Sequence, residues 1–163
     1  MFGNMNDDDY YNLSLKSFDS KEYEKALEYI NKAINIKSLN LNYRIQKVHI
    51  LLEMSDYKNA LEEPKFMENM DGYNPDIYTY ESMCYSSIGD YDNSLKFASK
   101  SLELDSENEM AYFNKSVSLK NLGHYKESIK IFEKYLKWAI KIQLHIRSLP
   151  SFIFMLTGIK CNK

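Results

Sequence analysis

The chain has 163 residues, of which 44% are hydrophobic and 14% aromatic, and its formal net charge at pH 7 is −2. This composition argues against disorder, and a near-neutral chain has no general electrostatic attraction to nucleic acid. No apolar run approaches the roughly 20 residues that a membrane-spanning helix needs, and the acidic start lacks the features of a secretory signal. We therefore expect a cytoplasmic protein without a membrane span and without a nucleic-acid partner.

Four tyrosines recur at a constant interval of 34 residues, and small residues recur with them. The tyrosines are Tyr23, Tyr57, Tyr91 and Tyr125. Three places after them stand the small residues Ala26, Ala60, Ser94 and Ser128. A fixed period of this length is typical of stacked repeats, whose usual function is binding. The period divides the chain into an N-terminal tail at 1–6 and copies at 7–40, 41–74, 75–108 and 109–142.

Each copy is predicted to contain two antiparallel helices. In the third copy, residues recur at helical spacing from Tyr78 to Ile88, Gly89 then breaks the run, and a second helical pattern follows. Alternation with a period of two, which would indicate strands, is absent. The small residues of the second helices are predicted to lie at close helix crossings. The first helices supply Ser14, Ser82 and Ser116 to those crossings.

The repeated residues resemble a known family. Copy one carries Tyr10, Leu13, Ser14, Ser17, Ala26 and Ile30. Copy three carries Tyr78, Ser82, Tyr85, Ser94 and Ala98 and ends in SLELDSEN, and copy four ends in YKESIKIFEKYLKW. This pattern resembles the tetratricopeptide repeat, W-x2-L-G-x2-Y followed by A-x3-F and P. The resemblance covers about residues 7–142. It implies an all-α, right-handed superhelical solenoid of about four helix–turn–helix units.

Copy two departs most from this pattern, with Arg44 at the usual aromatic position and Pro64 at the usual Phe position. A proline inside a helix removes a backbone donor and crowds the carbonyl four residues earlier, here that of Ala60, at a cost of roughly 3 kcal/mol. Pro64 is either a tolerated kink in a drifted repeat or a bend that resets the superhelix.

The C-terminal region, residues 143–163, is predicted to extend the last helix and end in an apolar tail. The helical pattern continues past Trp138 until Pro150, so the last helix should run on for several turns beyond its repeat. The apolar sequence SFIFMLTGIKCNK follows, as either a cap on the stack or a contact surface. Along the same helix, Lys126, Lys130, Lys134, Lys137 and Lys141 form one stripe. That stripe is either a solvated outer face or a docking face for an acidic protein or lipid.

No catalytic, metal-binding or cofactor motif is found in the sequence. The three histidines, His49, His124 and His145, lie far apart in the chain, and none stands in a metal-binding frame such as HExxH. The glycines are scattered and form no phosphate-binding loop. Cys84 and Cys161 are far apart, and Cys84 occupies a small-residue position that suits packing. We therefore expect no enzymatic activity, no cofactor and no metal.

The resemblance implies that the first helix of each copy lines the concave face of the superhelix. The side chains expected there are Tyr11, Asn12, Leu15, Gln46, His49, Thr79, Tyr80, Met83, Phe113, Asn114, Val117 and Lys120. Amide side chains can bond both the donor and the acceptor of an extended backbone, and Tyr, Phe and Met offer apolar contacts. We therefore expect a non-catalytic scaffold whose partner is another protein, bound as a peptide or a helix in this groove.

The distribution of charge leaves other functions open. Residues 1–119 carry 12 basic and 21 acidic side chains, a net charge of −9, whereas residues 120–163 carry 9 basic and 2 acidic side chains, a net charge of +7. Oppositely charged ends favour contact between copies. Self-assembly, for example as a homodimer, is therefore the alternative function. A third interpretation is that the chain is the tetratricopeptide part of a larger regulator.

Overall fold

The computed structural model describes residues 5–148, and this part of the chain contains eight α-helices and no strand. The helices are α1 (Asp7–Asp19), α2 (Tyr23–Ile36), α3 (Leu41–Glu53), α4 (Tyr57–Met70), α5 (Pro75–Ser87), α6 (Tyr91–Leu104), α7 (Glu109–Asn121) and α8 (Tyr125–Ser148). Every second helix begins at one of the four periodic tyrosines. We number the pairs α1–α2, α3–α4, α5–α6 and α7–α8 as repeats 1 to 4.

The four pairs stack in order into the predicted right-handed superhelix. The backbones of the first helices α1, α3, α5 and α7 approach one another within 8 Å along one side of the stack, whereas those of α2, α4, α6 and α8 stay farther apart among the residues described. The first helices therefore converge on the concave side. The last helix has 24 residues where the other second helices have 14, which confirms the predicted extension. The predicted apolar tail lies outside the described residues.

The start of every first helix is fixed by an asparagine cap. Asn6, Asn40, Asn74 and Asn108 stand 34 residues apart, and each side chain accepts a hydrogen bond from a backbone N–H of the following turn. Such caps satisfy a donor that has no partner inside the helix. The caps repeat with the same period as the tyrosines, so each repeat carries its own start signal.

The turn inside each repeat needs one residue in the left-handed region. Gly89 and Gly123 have φ values of 81° and 84°, and Lys21 and Ser55 at the equivalent positions have 60° and 59°. Glycine adopts this conformation without steric strain, whereas other residues do so at a cost. The glycines of the last two copies therefore mark a backbone geometry that all four copies share.

The predicted close helix crossings are confirmed in three repeats. The Ser14 hydroxyl donates to the Ala26 carbonyl and the Ser82 hydroxyl to the Ser94 carbonyl, both at 2.9 Å. In repeat 4 the direction is reversed, and Ser128 donates to the carbonyl of Ser116 at 2.8 Å. Repeat 2 has the larger Val48 at this position, fully buried. The two helices of repeat 2 contact each other less extensively than those of repeats 1 and 3.

Arg44, which replaces the usual aromatic residue in repeat 2, is held by polar and ring contacts. Its guanidinium donates to Glu63 at 2.7 Å and to the Ser38 carbonyl at 2.9 Å, and it lies 3.7 Å from the ring centre of Phe66. Lys47 contacts the other oxygen of Glu63 at 2.8 Å. Because Arg44 and Glu63 are paired with each other, the departure from the family pattern leaves neither of them as an isolated ion in the core.

Pro64 lies inside α4, and the helix continues through it from Tyr57 to Met70. The Ala60 carbonyl would accept from the N–H of residue 64 in a regular helix, and proline has no such N–H. The Cys84 thiol of the next repeat lies 3.5 Å from that carbonyl, within hydrogen-bonding range for sulfur. A side chain of repeat 3 therefore contacts the one carbonyl that the proline deprives of its donor.

The buried residues lie between repeats rather than in one central core, as expected for a solenoid. One apolar cluster joins repeats 1 and 2 through Ala26, Ile30, Ala33, Tyr43 and Ile50. A second cluster joins repeats 2 and 3 through Val48, Leu51, Ala60, Met67, Ile77 and Cys84. The junction of repeats 3 and 4 instead buries small residues, most of them polar: Ser94, Ala98, Ser101, Ala111, Asn114 and Ser118. Hydrogen bonds therefore connect repeats 3 and 4 at this junction.

Candidate functional site

The twelve residues predicted for the groove all lie on first helices, but they differ in exposure. Exposed side chains are Asn12, Phe113 and Lys120. Half-buried side chains are Tyr11, Leu15, His49, Tyr80, Met83 and Val117. Buried side chains are Gln46, Thr79 and Asn114. Nine of the twelve predicted residues are therefore at least partly accessible at the surface.

The three buried residues take part in packing between helices. The Asn114 side-chain amide donates to the Thr79 carbonyl at 3.3 Å, which ties α7 to α5. The Thr79 hydroxyl lies 2.8 Å from the hydroxyl of Ser101. The Gln46 amide nitrogen is buried without a hydrogen-bond partner among the described residues. Of the three amides expected to hold a ligand backbone, only Asn12 is presented at the surface.

Aromatic side chains form the inner face of repeats 1 to 3. The rings of Tyr11 and Tyr43 are 4.9 Å apart, and the rings of His49 and Tyr80 meet edge to face at 5.3 Å. Burial lowers the pKa of His49, so its imidazole is neutral at pH 7. Burial raises the pKa of Tyr80, so its hydroxyl remains protonated. This strip is therefore uncharged and amphipathic, with apolar ring surfaces and single polar atoms at the edges.

The phenol of Tyr43 anchors the acidic start of α1. Its hydroxyl oxygen lies 2.7 Å from a carboxylate oxygen of Asp7 and 2.8 Å from one of Asp8. A hydroxyl carries one proton, so it donates to one carboxylate at a time. Lys37 contacts the same oxygen of Asp7 at 2.7 Å, and the hydrogen bonds from Lys37 and Tyr43 hold the pKa of Asp7 below its usual range.

Acidic side chains border the inner face where the first helices begin. A cleft of about 310 Å³ opens between the starts of α5 and α7. It is lined by Asp76, Thr79, Tyr80, Asp105, Glu107, Asn108, Glu109 and Met110. The amide of Asn108 donates to Asp76 at 3.3 Å, which links the two helix starts. The cleft therefore combines several carboxylates with the rim of the aromatic strip.

Three of the four groove residues predicted in copy four, Phe113, Val117 and Lys120, line a different, apolar groove between α7 and α8. This groove has a volume of about 480 Å³. It is lined by Phe113, Ser116, Val117, Lys120, Ser128, Ile129, Phe132, Glu133 and Leu136. The residues contributed by α8 were missed because only first helices were expected at the binding surface. The signal for them was present, since residues 143–163 do not continue the repeat pattern that would cover the second helix of the fourth copy.

A metal-binding cluster and a membrane-spanning helix are both absent from the part of the chain that the structure describes. Residues 5–148 contain no group of three or more His, Cys, Asp or Glu side chains placed to hold a metal ion. Over the same range, no helix combines the length and the apolar character needed to cross a membrane.

Comparison with known proteins gives the family. A sequence model of the tetratricopeptide repeat matches residues 10–38, 76–108 and 111–139, more than half of the chain. The unmatched stretch includes repeat 2, where Arg44 and Pro64 depart from the pattern. A search of curated proteins found no match to the chain.

Solved structures of other proteins share the fold. MamA from Desulfovibrio magneticus RS-1, from its residue 41 to the end, superposes with a TM-score of 0.70 at 15% identity, over 83% of this chain and 77% of MamA. The TPR domain of Arabidopsis OM64 gives 0.64 at 18% identity, over 70% of this chain and 94% of that domain. The Sgt2 TPR domain from Aspergillus fumigatus gives 0.66 at 14% identity, over 74% and 82%. From its sequence and its fold, the chain belongs to the tetratricopeptide repeat family.

Proposed function

We propose that this chain is a non-catalytic scaffold that binds a segment of another protein along its concave face. Tetratricopeptide repeats are in general a protein-interaction fold, and solenoids of this kind offer extended concave surfaces for binding. The observation that carries the proposal is the aromatic strip, formed by the half-buried side chains of Tyr11, His49, Tyr80 and Met83 on the first helices of three repeats, with the rings of His49 and Tyr80 in contact. Rigid aromatic side chains of this type contribute strongly to protein interfaces.

The charge around this strip supports a partner segment with basic residues. Asp8, Asp76, Glu107 and Glu109 are exposed along the border where the first helices begin. Carboxylates at the rim of an interface favour basic partners mainly through association rate and specificity. A peptide or helix with apolar side chains on the aromatic strip and Lys or Arg at its edge fits both features.

Site-specific photo-crosslinking tests where a partner binds. A photo-reactive phenylalanine is placed at Tyr11, at Tyr80 or at the control position Tyr73, which is 87% exposed and lies between α4 and α5. The two inner positions should give a discrete adduct in lysate, and mass spectrometry should identify one segment of one partner. Tyr73 is more accessible, so equal or greater capture there would mean that exposure rather than the groove determines the crosslink.

Substitution then separates binding from folding. Tyr11→Ala and Tyr80→Ala together should abolish most of the capture reported from a probe at Met83, while the protein keeps its helical circular dichroism spectrum. Tyr73→Ala is the matched control and should leave capture unchanged. Full capture by the double variant would place the binding site outside the aromatic strip.

Self-assembly and a place in a larger regulator stay predictions. The observation that favours self-assembly is the exposed apolar surface at the C-terminal end of the stack, where Ile129 is 59% and Ile140 57% exposed.

A further inference from the structure

The C-terminal end of the stack exposes the same surface that every earlier repeat buries. In repeats 1 and 3, Ile30 and Ala98 are fully buried under the first helix of the following repeat. Phe132 stands at the equivalent position of repeat 4 and is 38% exposed. Next to it, Leu136 is 42% and Ile129 59% exposed. The groove between α7 and α8 thus has the chemistry of a repeat junction without the covering helix.

The described surfaces of a second copy fit this groove poorly. The N-terminal end of the stack presents Asp8, Asp9, Asn12, Lys16 and Asp19, which are all exposed and polar. Burying such charges against Phe132 and Leu136 would desolvate them without partners. The second possibility, two α8 helices meeting each other, would bring together two rows of exposed lysines: Lys126, Lys130, Lys134 and Lys137 in each copy. Repulsion between the rows disfavours that pairing.

The chain itself supplies a segment of matching chemistry directly after α8. Residues 149–159, LPSFIFMLTGI, contain five consecutive large apolar residues from Phe152 to Leu156 and no charged side chain. Because this segment carries no charge, the neighbouring lysine row does not repel it from the groove. Pro150 and Gly158 are residue types that tolerate turns.

The segment is also long enough to reach the groove. A helix rises about 1.5 Å per residue, so Leu136 lies about 18 Å and Phe132 about 24 Å back along α8 from Ser148. Eleven extended residues span at most about 36–40 Å. A chain that reverses at Pro150 can therefore run back along α8 as far as Phe113 and Phe132, whose rings both pack near Tyr135.

We propose that residues 149–159 fold back and dock in the groove between α7 and α8 of the same molecule. The docked segment takes the place that the first helix of a fifth repeat would occupy. Because Phe113 and Val117 belong both to this groove and to the surface expected to bind a partner, the docked segment would also set the C-terminal limit of that surface.

The native Cys161 provides the test in the full-length chain. A nitroxide label attached to Cys161 broadens amide NMR signals of nearby residues. Cys84 is buried and its pKa is raised to about 12, so its thiol stays unlabelled. Broadening is expected at Phe113, Val117 and Phe132 and not in α1. A mixture of labelled unenriched protein with unlabelled ¹⁵N protein should show none. Broadening only in the mixture would mean that the segment docks on a second copy, and broadening in neither sample would mean that it does not dock; each overturns the proposal.

Matched variants locate the contact. Ile129→Gln with Phe132→Gln changes two exposed groove residues and should remove most of the broadening at Val117. Lys130→Gln with Lys134→Gln alters the neighbouring lysine row on the same helix and should leave the broadening intact. Unchanged broadening in the groove variant would overturn the assignment of this groove. The signals of α1 and α2 report in each case that the stack remains folded.

Discussion

The junctions between repeats are held together by different chemistry at the two ends of the stack. Repeats 1, 2 and 3 are joined by large apolar side chains such as Ile30, Met67 and Ile77, all buried. Repeats 3 and 4 are joined by serine hydroxyls and by the amide of Asn114. Apolar burial stabilises in proportion to area, whereas a hydrogen bond contributes little net and its loss is costly. One backbone arrangement therefore accepts both kinds of junction, but the apolar junctions should dominate stability.

The largest expected effect comes from opening an apolar junction. Met67→Ala should lower the free energy of unfolding by about 2–5 kcal/mol, because it leaves a cavity between repeats 2 and 3. Ile36→Ala is the control, since Ile36 is 52% exposed and the change should be within about 0.5 kcal/mol. Denaturant unfolding of both variants measures the difference. Equal losses would show that the clusters do not carry the stability of the stack.

The second prediction concerns Glu81, an acidic residue that is buried in repeat 3. It is 3% exposed, and one of its carboxylate oxygens is buried without a hydrogen-bond partner in the described chain. Burial, followed by repulsion from Glu68, raises the pKa of Glu81 from its ordinary value of 4.5 to about 7. The folded state thus binds this proton more tightly than the unfolded state. Its stabilising contribution is complete below pH 4.5 and is lost as the pH rises through 7.

Glu81→Gln isolates this effect from other titrating groups. The variant should be more stable than the wild type at pH 8, by up to roughly 3 kcal/mol for a shift of this size. The advantage should shrink to near zero at pH 4. Chemical denaturation at several pH values measures it, and a stability difference that does not change with pH would rule out a buried, protonated Glu81.

A smaller effect is expected at the polar junction. The Ser118 hydroxyl lies 2.7 Å from that of Ser94 and 2.8 Å from the Asn114 carbonyl. Ser118→Ala should lower the free energy of unfolding by about 0.5–1.5 kcal/mol, because the buried Ser94 hydroxyl loses Ser118 but keeps the Ser82 hydroxyl at 3.1 Å. Ser87→Ala is the matched control, since Ser87 is exposed and bonds only within its own helix, to Met83. A loss as large as that of Met67→Ala would contradict the contrast between junctions.

The smallest effect tests whether Cys84 supports the proline in repeat 2. In the wild type, Cys84→Ala removes the only side chain seen to contact the Ala60 carbonyl among the described residues. After Pro64→Ala, that carbonyl regains a backbone donor, so Cys84→Ala should then cost less. A double-mutant cycle should give a coupling of about 0.5–1 kcal/mol. Additive effects would mean that the thiol and the proline are independent.

Much of the fold could be predicted from the sequence because the same local pattern of residues occurs four times along the chain. The tyrosine period located every second helix, and the small residues Ser14 and Ser82 marked helix crossings that the structure confirms. The period of the asparagine caps was a second, overlooked signal for the first helices. A periodic sequence fixes local geometry well because each copy repeats the same local interactions.

The candidate site was less predictable because exposure depends on the neighbouring repeat. Gln46 and Asn114 stand on first helices, as expected, yet both are buried where α3 and α7 meet adjacent helices. Arg44 was recognised as a departure, but its partners Glu63 and Phe66 lie on another helix and cannot be inferred from the period. Spacing gives the face of a helix, whereas burial is set by what packs against that face.

The described helices contact only helices of their own repeat or of the adjacent repeat, and this has a consequence for the folding rate. Short sequence separations between contacting residues favour fast folding, and a solenoid can begin folding in any unit and propagate. Both apolar clusters are complete by Cys84, about halfway along the chain. A nascent polypeptide that has emerged as far as α5 therefore already contains the residues of its two strongest junctions. We therefore expect the hydrogen-bonded fourth repeat to be added to an already folded surface, in the direction of synthesis.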